Sequence, residues 1–392
     1  MTKKKPLQLF ARLLGNERWQ FITIPAFSIL CSLVAISVII LLIGKNPLEA
    51  FSSLLAGAGW IAKSNYAGGK AAFTDFMDML DAFTPMLFAA LAVTVALKSG
   101  LFNIGVAGQM LLSGFIATVA VGYSDLPSVV ARPLVLLIGI VVGAAAGALM
   151  GWLKDRFNIH EVVSSIMLNY IFQYVISFFI KTRYIDPVSR QSRMAAASAR
   201  LEITDIKIAG VTTHFPLGLV LALIAAIGIW FLLAKTKTGL ELTATGLNAK
   251  SARYAGIRTG RTLIIAMGIS GALAGLAGVT YYLGSVRSII PGELTSVGFD
   301  SIAVALLGNT HPLGNIASSL LITTLTSGST YMSSTVGVRQ EIASLIVGMI
   351  LLFSACGGYL KLWVQRATSE QLPDKGSESV HPRTISGQEE QA

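Results

Sequence analysis

Charge is what this chain has least of: Asp, Glu, Lys and Arg together make up 13% of its 392 residues, where a soluble globular chain carries roughly 25%. That scarcity excludes an ordinary water-soluble domain, and apolar runs recurring along almost the whole length exclude one anchor attached to such a domain. Cysteine is nearly absent. Cys31 and Cys356 each sit inside an apolar run near opposite ends, so neither a disulfide framework nor a cysteine metal site is expected. The four histidines, His160, His214, His311 and His381, have no metal-ligand spacing and no nucleophile close in sequence, and ordinary polar roles are expected for them. A phosphate loop is missing as well. Gly57 to Ser64 imitates one, but Ala62 stands where a glycine must precede the lysine, and no strand leads into it. The chain is therefore expected to have no catalytic residue, no metal and no cofactor of its own.

What is present is apolar surface: 53% hydrophobic residues, 38 glycines and a mean hydropathy of +0.68. The fold class this implies is all-α, a polytopic helical membrane protein. A run at 22–44 is followed by others near 82–98, 104–123, 133–153, 161–180, 216–234, 262–284, 299–310, 313–330 and 340–363, about ten crossings in all. Residues 1–21 are expected as a cytoplasmic segment, 22–363 as the transmembrane domain and 364–392 as a disordered cytoplasmic tail. The mixed, glycine-rich stretch Asn46 to Asp81 reads as an external loop. An even number of crossings puts both termini on one side. With that side cytoplasmic, the larger share of the 30 Lys and Arg lies inside. The dissent is the external loop 181–215, with six basic residues. The net charge of +10 then marks cytoplasmic loops rather than a nucleic-acid surface. Gly143, Gly147 and Gly151, and Gly271 and Gly275, recur every four residues and predict close helix packing.

One run differs from the rest. Glu161, Ser165, Asn169, Gln173 and Ser177 stand four apart, a single polar stripe on an otherwise apolar helix. Inside a membrane such a stripe must face protein or a wet cavity. It serves either as glue between helices or as the wall of a pathway, and the amides alone do not choose. Two stretches break the helical pattern: Leu101 to Met110, with Asn103, Gly105, Gly108 and Gln109, and Pro291 to Asp300. Glycine-interrupted helices occur in a bilayer only inside protein or beside water, and often line transport sites; a tight loop with Asn103 as a helix cap is the alternative. The fragment Gly298 to Ile302 faintly echoes Gly100 to Ile104, which hints at two five-helix halves.

The basic loop 235–261 holds Lys235, Lys237, Lys250, Arg253, Arg258 and Arg261 against Glu241. Its centre carries start and stop signals for a short helix: Asn248 as N-cap, Ala249 to Ala255 as two turns, Gly256 as terminator. Such a helix projecting into the cytoplasm suits docking; a loop lying on anionic lipid is the alternative. Asn158 to Glu161 predicts a capping box.

Four phrases occur in order: Phe102-Asn-Ile-Gly-Val-Ala-Gly-Gln109, His160-Glu-Val-Val-Ser-Ser-Ile-Met-Leu-Asn-Tyr170, Gly246-Leu-Asn-Ala-Lys-Ser-Ala-Arg-Tyr-Ala-Gly-Ile257 and Gly298-Phe-Asp-Ser-Ile-Ala-Val-Ala-Leu-Leu-Gly-Asn309. Over residues 82–363 the chain resembles permease subunits of bacterial ABC importers for nucleosides and simple sugars, relatives of the ribose and branched-chain amino acid permeases. The resemblance implies a plasma-membrane permease that pairs with a second permease, with cytoplasmic ATP-binding subunits that hold ATP and Mg, and with an extracytoplasmic substrate-binding protein. It implies that Asn248, Ala249, Ala252, Arg253, Ala255, Gly256 and Ile257 form the helix that couples to the ATPase. On this basis Asn103, Gln109, Ser165, Asn169 and Gln173 are expected along the pathway of a neutral polar solute, most naturally a nucleoside. A simple-sugar permease is the near alternative. An ion-coupled secondary transporter would use Asp300 and Glu161, and a membrane-embedded enzyme would need a clustered acid, histidine or metal motif that the chain does not display.

Overall fold

Glycine sets the tightest helix pairing. In the computed structural model, which describes residues 20–63, 72–208, 211–339 and 341–355, helix α5 (Ser128–Phe157) lies along α10 (Thr259–Thr280). A Cβ on Gly143 would run into the Gly271 carbonyl, one on Gly147 into the Met267 carbonyl, and one on Gly275 into the Gly139 carbonyl. Without side chains at these positions the two backbones touch. The four-residue glycine spacing read from the sequence is therefore a helix–helix seam.

Thirteen α-helices are present among the described residues. α1 (Gln20–Leu42) leads through Gly44 into α2 (Pro47–Gly57), and the two are bent by 115°. Then come α3 (Ala72–Lys98), α4 (Val106–Ala117), α5 and α6 (Glu161–Phe179). A hairpin of β1 (Glu202–Ile208) and β2 (Val211–Pro216) precedes α7 (Leu217–Lys235), α8 (Lys237–Leu247), α9 (Ala249–Tyr254) and α10. The described chain finishes with α11 (Val297–Leu307), α12 (Pro312–Val336) and α13 (Glu341–Ala355). Residues 28–355 make one compact unit. Within it α3 is the central rod, buried continuously from Phe83 to Ala96 and packed against α7, α10, α11 and α12.

Among the described residues five helices are long and apolar enough to cross a membrane: α3, α5, α6 with its wide final turn to Tyr184, α7, and α10 with its wide final turn to Ser285. The bent pair α1 and α2 makes a sixth if it is one span, and Val106–Gly122 and Val297–Leu307 are shorter apolar helices. The protein is a multi-pass, mainly helical membrane protein. The segments expected at 1–21 and 364–392 lie outside the described residues, apart from Gln20 and Phe21.

Several sequence expectations are corrected. The chain is mainly helical as expected, but residues 202–216 add an antiparallel hairpin that the sequence reading did not include, with Glu202 opposite Pro216 and Ile208 opposite Val211. The stretch Asn46 to Asp81 is not simply a loop. It contains α2, capped by Asn46, whose side-chain oxygen accepts from the Leu48 amide at 3.0 Å, and α3 begins at Ala72 rather than near 82. The acids that hid this extension are partnered: Asp75 pairs with Lys63 at 2.9 Å, and Asp78 lies 3.7 Å from His214 of β2. The capping box at Asn158 is absent. Asn158 instead ends α5 in the left-handed conformation (φ 54°), and His160 caps α6, its Nδ1 accepting from the Val162 amide at 3.4 Å. Glu161 is ion-paired with Lys154. The echoing fragments are not equivalent either, since Gly100 to Ile104 precede α4 while Gly298 to Ile302 lie inside α11.

One of the six basic residues of the loop that dissented from the charge rule, Arg200, has a structural use beside two arginines from outside that loop, Arg132 and Arg287. Glu202 is buried, and it accepts from Arg287 Nη2 at 2.8 Å with Arg200 Nη1 4.0 Å away. Arg132 adds donations to the carbonyls of Arg200 (3.0 Å) and Glu202 (3.1 Å). Cations here neutralise a buried carboxylate and fasten the hairpin to the helices.

Candidate functional site

The entry to α4 is built by amides. Gly100 adopts a left-handed φ of 74° and backs onto Gly246, its missing Cβ standing 3.0 Å from Gly246 Cα. The chain then turns inward with Asn103 fully buried. Asn103 Oδ1 accepts from the Gly105 amide at 2.9 Å, and its Nδ2 donates to Gln109 Oε1 at 3.2 Å and Ser270 Oγ at 2.9 Å. Ser270 Oγ in turn donates to the Ala92 carbonyl at 2.7 Å, and Gln109 Nε2 donates to Met150 Sδ at 3.3 Å. This network ties α4 to α3, α5 and α10 deep in the protein.

Asn169 completes it from α6. Its Oδ1 accepts from the Gly108 amide at 2.9 Å and its Nδ2 donates to the Ile104 carbonyl at 3.0 Å. The Gly108 amide is one of the orphan donors in the first turn of α4, so Asn169 supplies the cap that Gly105 cannot. Gly108 has no side chain because a Cβ there would sit 2.8 Å from Asn169 Cα. Lower on the stripe, Ser165 Oγ donates to the Val162 carbonyl at 3.0 Å. Higher up, Gln173 Nε2 donates to the Gly292 carbonyl at 2.5 Å, and Ser177 Oγ accepts from the Gly292 amide at 2.6 Å. Gln173 Oε1 is buried and has no partner among the described residues.

The α6 stripe therefore faces protein and grips both irregular segments singled out in the sequence, with Asn103, Gln109 and Asn169 in one cluster and Gln173 in a second. Ser165 lies one turn before Asn169 and bonds within its own helix. The other face of α6 was not weighed in the sequence. It presents Val163, Met167, Tyr170, Tyr174 and Phe178, all exposed, and the four-residue aromatic spacing from Tyr170 to Phe178 was its available signal.

A separate cluster sits where α8, α9 and α10 meet. Asn248 Oδ1 accepts from the amides of Lys250 (3.0 Å) and Ser251 (3.1 Å). α9 runs from Ala249 to Tyr254, and Gly256 follows with φ 83°. Ala252 is buried as the root of the helix, Arg253 Nη2 donates to Thr259 Oγ1 at 3.3 Å, and Ala249 and Ala255 are exposed while Ile257 is half-buried. Leu247 (84% exposed) and Tyr254 (94% exposed) stand out as apolar side chains with nothing over them; a residue string carries no signal of that exposure. Close to the α4 turn, partial burial and the Lys98 ammonium hold His311 below the usual imidazole range. Among the described residues no group of three His, Cys, Asp or Glu is placed to hold a metal ion.

Comparison with known proteins gives this geometry a context. Residues 76–355 match the family described as branched-chain amino acid transport system, permease component. The nucleoside ABC transporter permease protein NupB of Lactococcus lactis is 31% identical, with 93% of this chain and 100% of that protein covered. The guanosine ABC transporter permease protein NupP of Bacillus subtilis is 34% identical over 86% of this chain and 94% of its own length. The glucose ABC transporter permease protein TsgB13 of Haloferax volcanii is 27% identical over 88% and 89%. By the extent of these matches the chain belongs to the permease-component family of branched-chain amino acid transport systems.

Proposed function

We propose that this chain is a transmembrane permease subunit of an ATP-driven ABC importer and forms one wall of the pathway for a neutral nucleoside. α9 carries the reading: a capped, six-residue helix with exposed Leu247 and Tyr254 at its margins, rooted on α10 through Ala252 and Arg253, suited to pass motion from a partner into the membrane helices. Asn248, Ala249, Ala252, Arg253, Ala255, Gly256 and Ile257 form this coupling element. The substrate class follows the two relatives named for nucleosides and guanosine. The relative named for glucose keeps simple sugars as the second reading.

In this account about ten crossings place both termini in the cytoplasm of a bacterial plasma membrane. ATP and Mg are held by separate ATP-binding subunits, a second permease completes the pathway, and an extracytoplasmic protein delivers the solute. Asn103, Gln109, Ser165, Asn169 and Gln173 hold the shape of the pathway wall from behind. The exposed face of α6 brings the Tyr170 and Tyr174 hydroxyls to mid-span, where hydrocarbon offers them no partner, so that face borders the pathway. Closure of the ATPase rocks α9 and the helices attached to it between two packings.

The test is uptake of labelled uridine and guanosine into proteoliposomes holding this chain with its ATPase, second permease and binding protein. Uptake that requires internal or external ATP on the ATPase side, and that is indifferent to proton and sodium gradients, is expected. Concentrative uptake by the chain alone, driven by an ion gradient, would make it a secondary transporter.

A further inference from the structure

The segment 181–200, which continues from α6, holds five cations, Lys181, Arg183, Arg190, Arg193 and Arg200, against the single acid Asp186. It lies at the end of the protein remote from α9. α6 and α10 both start beside the last turns of α5, where Lys154 pairs with Glu161 and Asp155 packs against Gly260, and both run from there to the far end. Arg200 is committed to Glu202 and to the Ala195 carbonyl, and Arg193 acts electrostatically on Asp186. Lys181, Arg183 and Arg190 are exposed, and among the described residues their side chains make no hydrogen bond or ion pair.

The loop that carries Arg190 is shaped in advance. Ile185 bridges Ser192, the Asp186 amide donates to the Gln191 carbonyl at 2.8 Å, and the Arg190 amide donates to the Asp186 carbonyl at 3.0 Å. Asp186 Oδ1 accepts from the Val188 amide at 3.1 Å and its Oδ2 accepts from Ser189 Oγ at 2.8 Å. Arg190 holds a φ of 58°, a region that favours glycine, so a long cation is displayed where the backbone alone would take no side chain. Val188 is 91% exposed and Met194 61%, and Arg and Met are enriched where proteins meet. The base of the loop is fastened. Ser192 donates its amide to the Ile289 carbonyl at 2.9 Å and its Oγ accepts from the Ile289 amide at 2.8 Å. Three positions on is Gly292, the residue gripped by Gln173 and Ser177.

Anionic lipid headgroups ask only for positive charge, which a slack loop supplies as well. A fixed tip that sets an apolar side chain among cations fits a folded acidic surface. We propose that Arg183, Val188 and Arg190 form the docking surface for an acidic patch on the extracytoplasmic protein that delivers the solute, a proposal that rests on the importer reading above. The cations steer the approach and set its orientation, and Val188 enters the dry centre of the contact. Through Ser192 and Ile289 the docked protein pulls on the segment that the α6 stripe holds.

The complete transporter in proteoliposomes tests this, with the binding protein loaded with labelled uridine and added outside at rising concentration. The readout is the concentration of binding protein that half-saturates uptake. Arg190→Gly suits the φ of 58° and keeps the loop in shape; it is expected to raise half-saturation roughly threefold, as loss of one exposed charge pair does, with the maximal rate kept. Arg183→Glu combined with Arg190→Glu is expected to raise it roughly tenfold or more, and to flatten the rise with ionic strength that the wild type shows. Should the double variant fail to assemble, Arg190→Gly decides. Half-saturation unchanged in the variants, with or without a loss of maximal rate, overturns the docking surface and leaves the importer reading standing. A shift seen only in vesicles containing phosphatidylglycerol, and absent in phosphatidylcholine, gives the cations to lipid and overturns it too. Wild-type uptake that is indifferent to the binding protein overturns the importer reading, and the docking surface falls with it.

Discussion

Asn169→Leu separates two roles that the sequence left open. In the structure Asn169 is 2% exposed and serves two backbone groups of another helix, accepting from Gly108 at 2.9 Å and donating to Ile104 at 3.0 Å. Leucine is close in size but leaves a buried amide and a buried carbonyl unmet, each costing about 1–3 kcal/mol. The sum, about 2–6 kcal/mol, is a large fraction of the stability of a folded domain. Asn169→Asp keeps the acceptor for Gly108 and loses the donor to Ile104, while adding a charge that must be desolvated. Gly108→Ala strains the same contact from the other side, its new methyl 2.8 Å from Asn169 Cα. Thermal unfolding of the purified chain in detergent, with size-exclusion chromatography to follow aggregation, should show all three destabilised, with transport lost in proportion to folded protein. Wild-type stability in Asn169→Leu would refute this reasoning. If transport were then abolished, the side chain would belong to the solute rather than to the scaffold.

Two further outcomes follow from the packing and from charge. Gly147→Val drives a side chain into the α5–α10 seam, where even a Cβ would lie 2.9 Å from Gly271 Cα; overpacking of this kind costs about 1–3 kcal/mol or more, and a lowered unfolding temperature with wild-type expression of Gly228→Ala, a position with open space around it, is the expected contrast. His311 is held below its usual range in the folded chain by burial and by Lys98. The unfolded chain thus binds the proton more readily, so the contribution of neutral His311 to stability is complete above the ordinary imidazole pKa of about 6.5. It declines as pH falls through that value towards the folded one. His311→Gln should flatten the stability profile as pH falls below about 6.5, measured by unfolding against pH; an unaltered slope would show that His311 does not contribute to it.

The legible parts of this protein were those encoded by local chemistry. The α6 stripe could be read because polar residues four apart on an apolar rod have one face to share, and α9 because Asn248 and Gly256 carry their start and stop signals in single side chains. The glycine seam was visible for the same reason. What the sequence hid depends on partners distant along the chain. Asp75 and Asp78 look like loop residues until Lys63 and His214 are placed beside them, and only then can α3 extend back to Ala72. The 202–216 hairpin alternates β-branched residues, but its anchor is a buried Glu202 met by Arg287, 85 positions away. The capping role expected of Asn158 falls to His160, because a left-handed Asn158 ends the preceding helix. That Asn103 and Asn169 bond to groups on other helices could not be read from any periodicity.

The central claim is that this chain carries no fuel and receives motion through α9, and the number of ATP molecules hydrolysed per nucleoside imported tests it most directly. Gly256→Val forces a β-branched residue into φ 83° with nothing near it to clash, and Asn248→Ala removes a cap worth about 1 kcal/mol; both disturb α9 while sparing the membrane helices. The account predicts that the assembled variants still hydrolyse ATP but spend several-fold more of it per nucleoside than the wild type. An unchanged ratio in both, with transport at the wild-type rate, would contradict it.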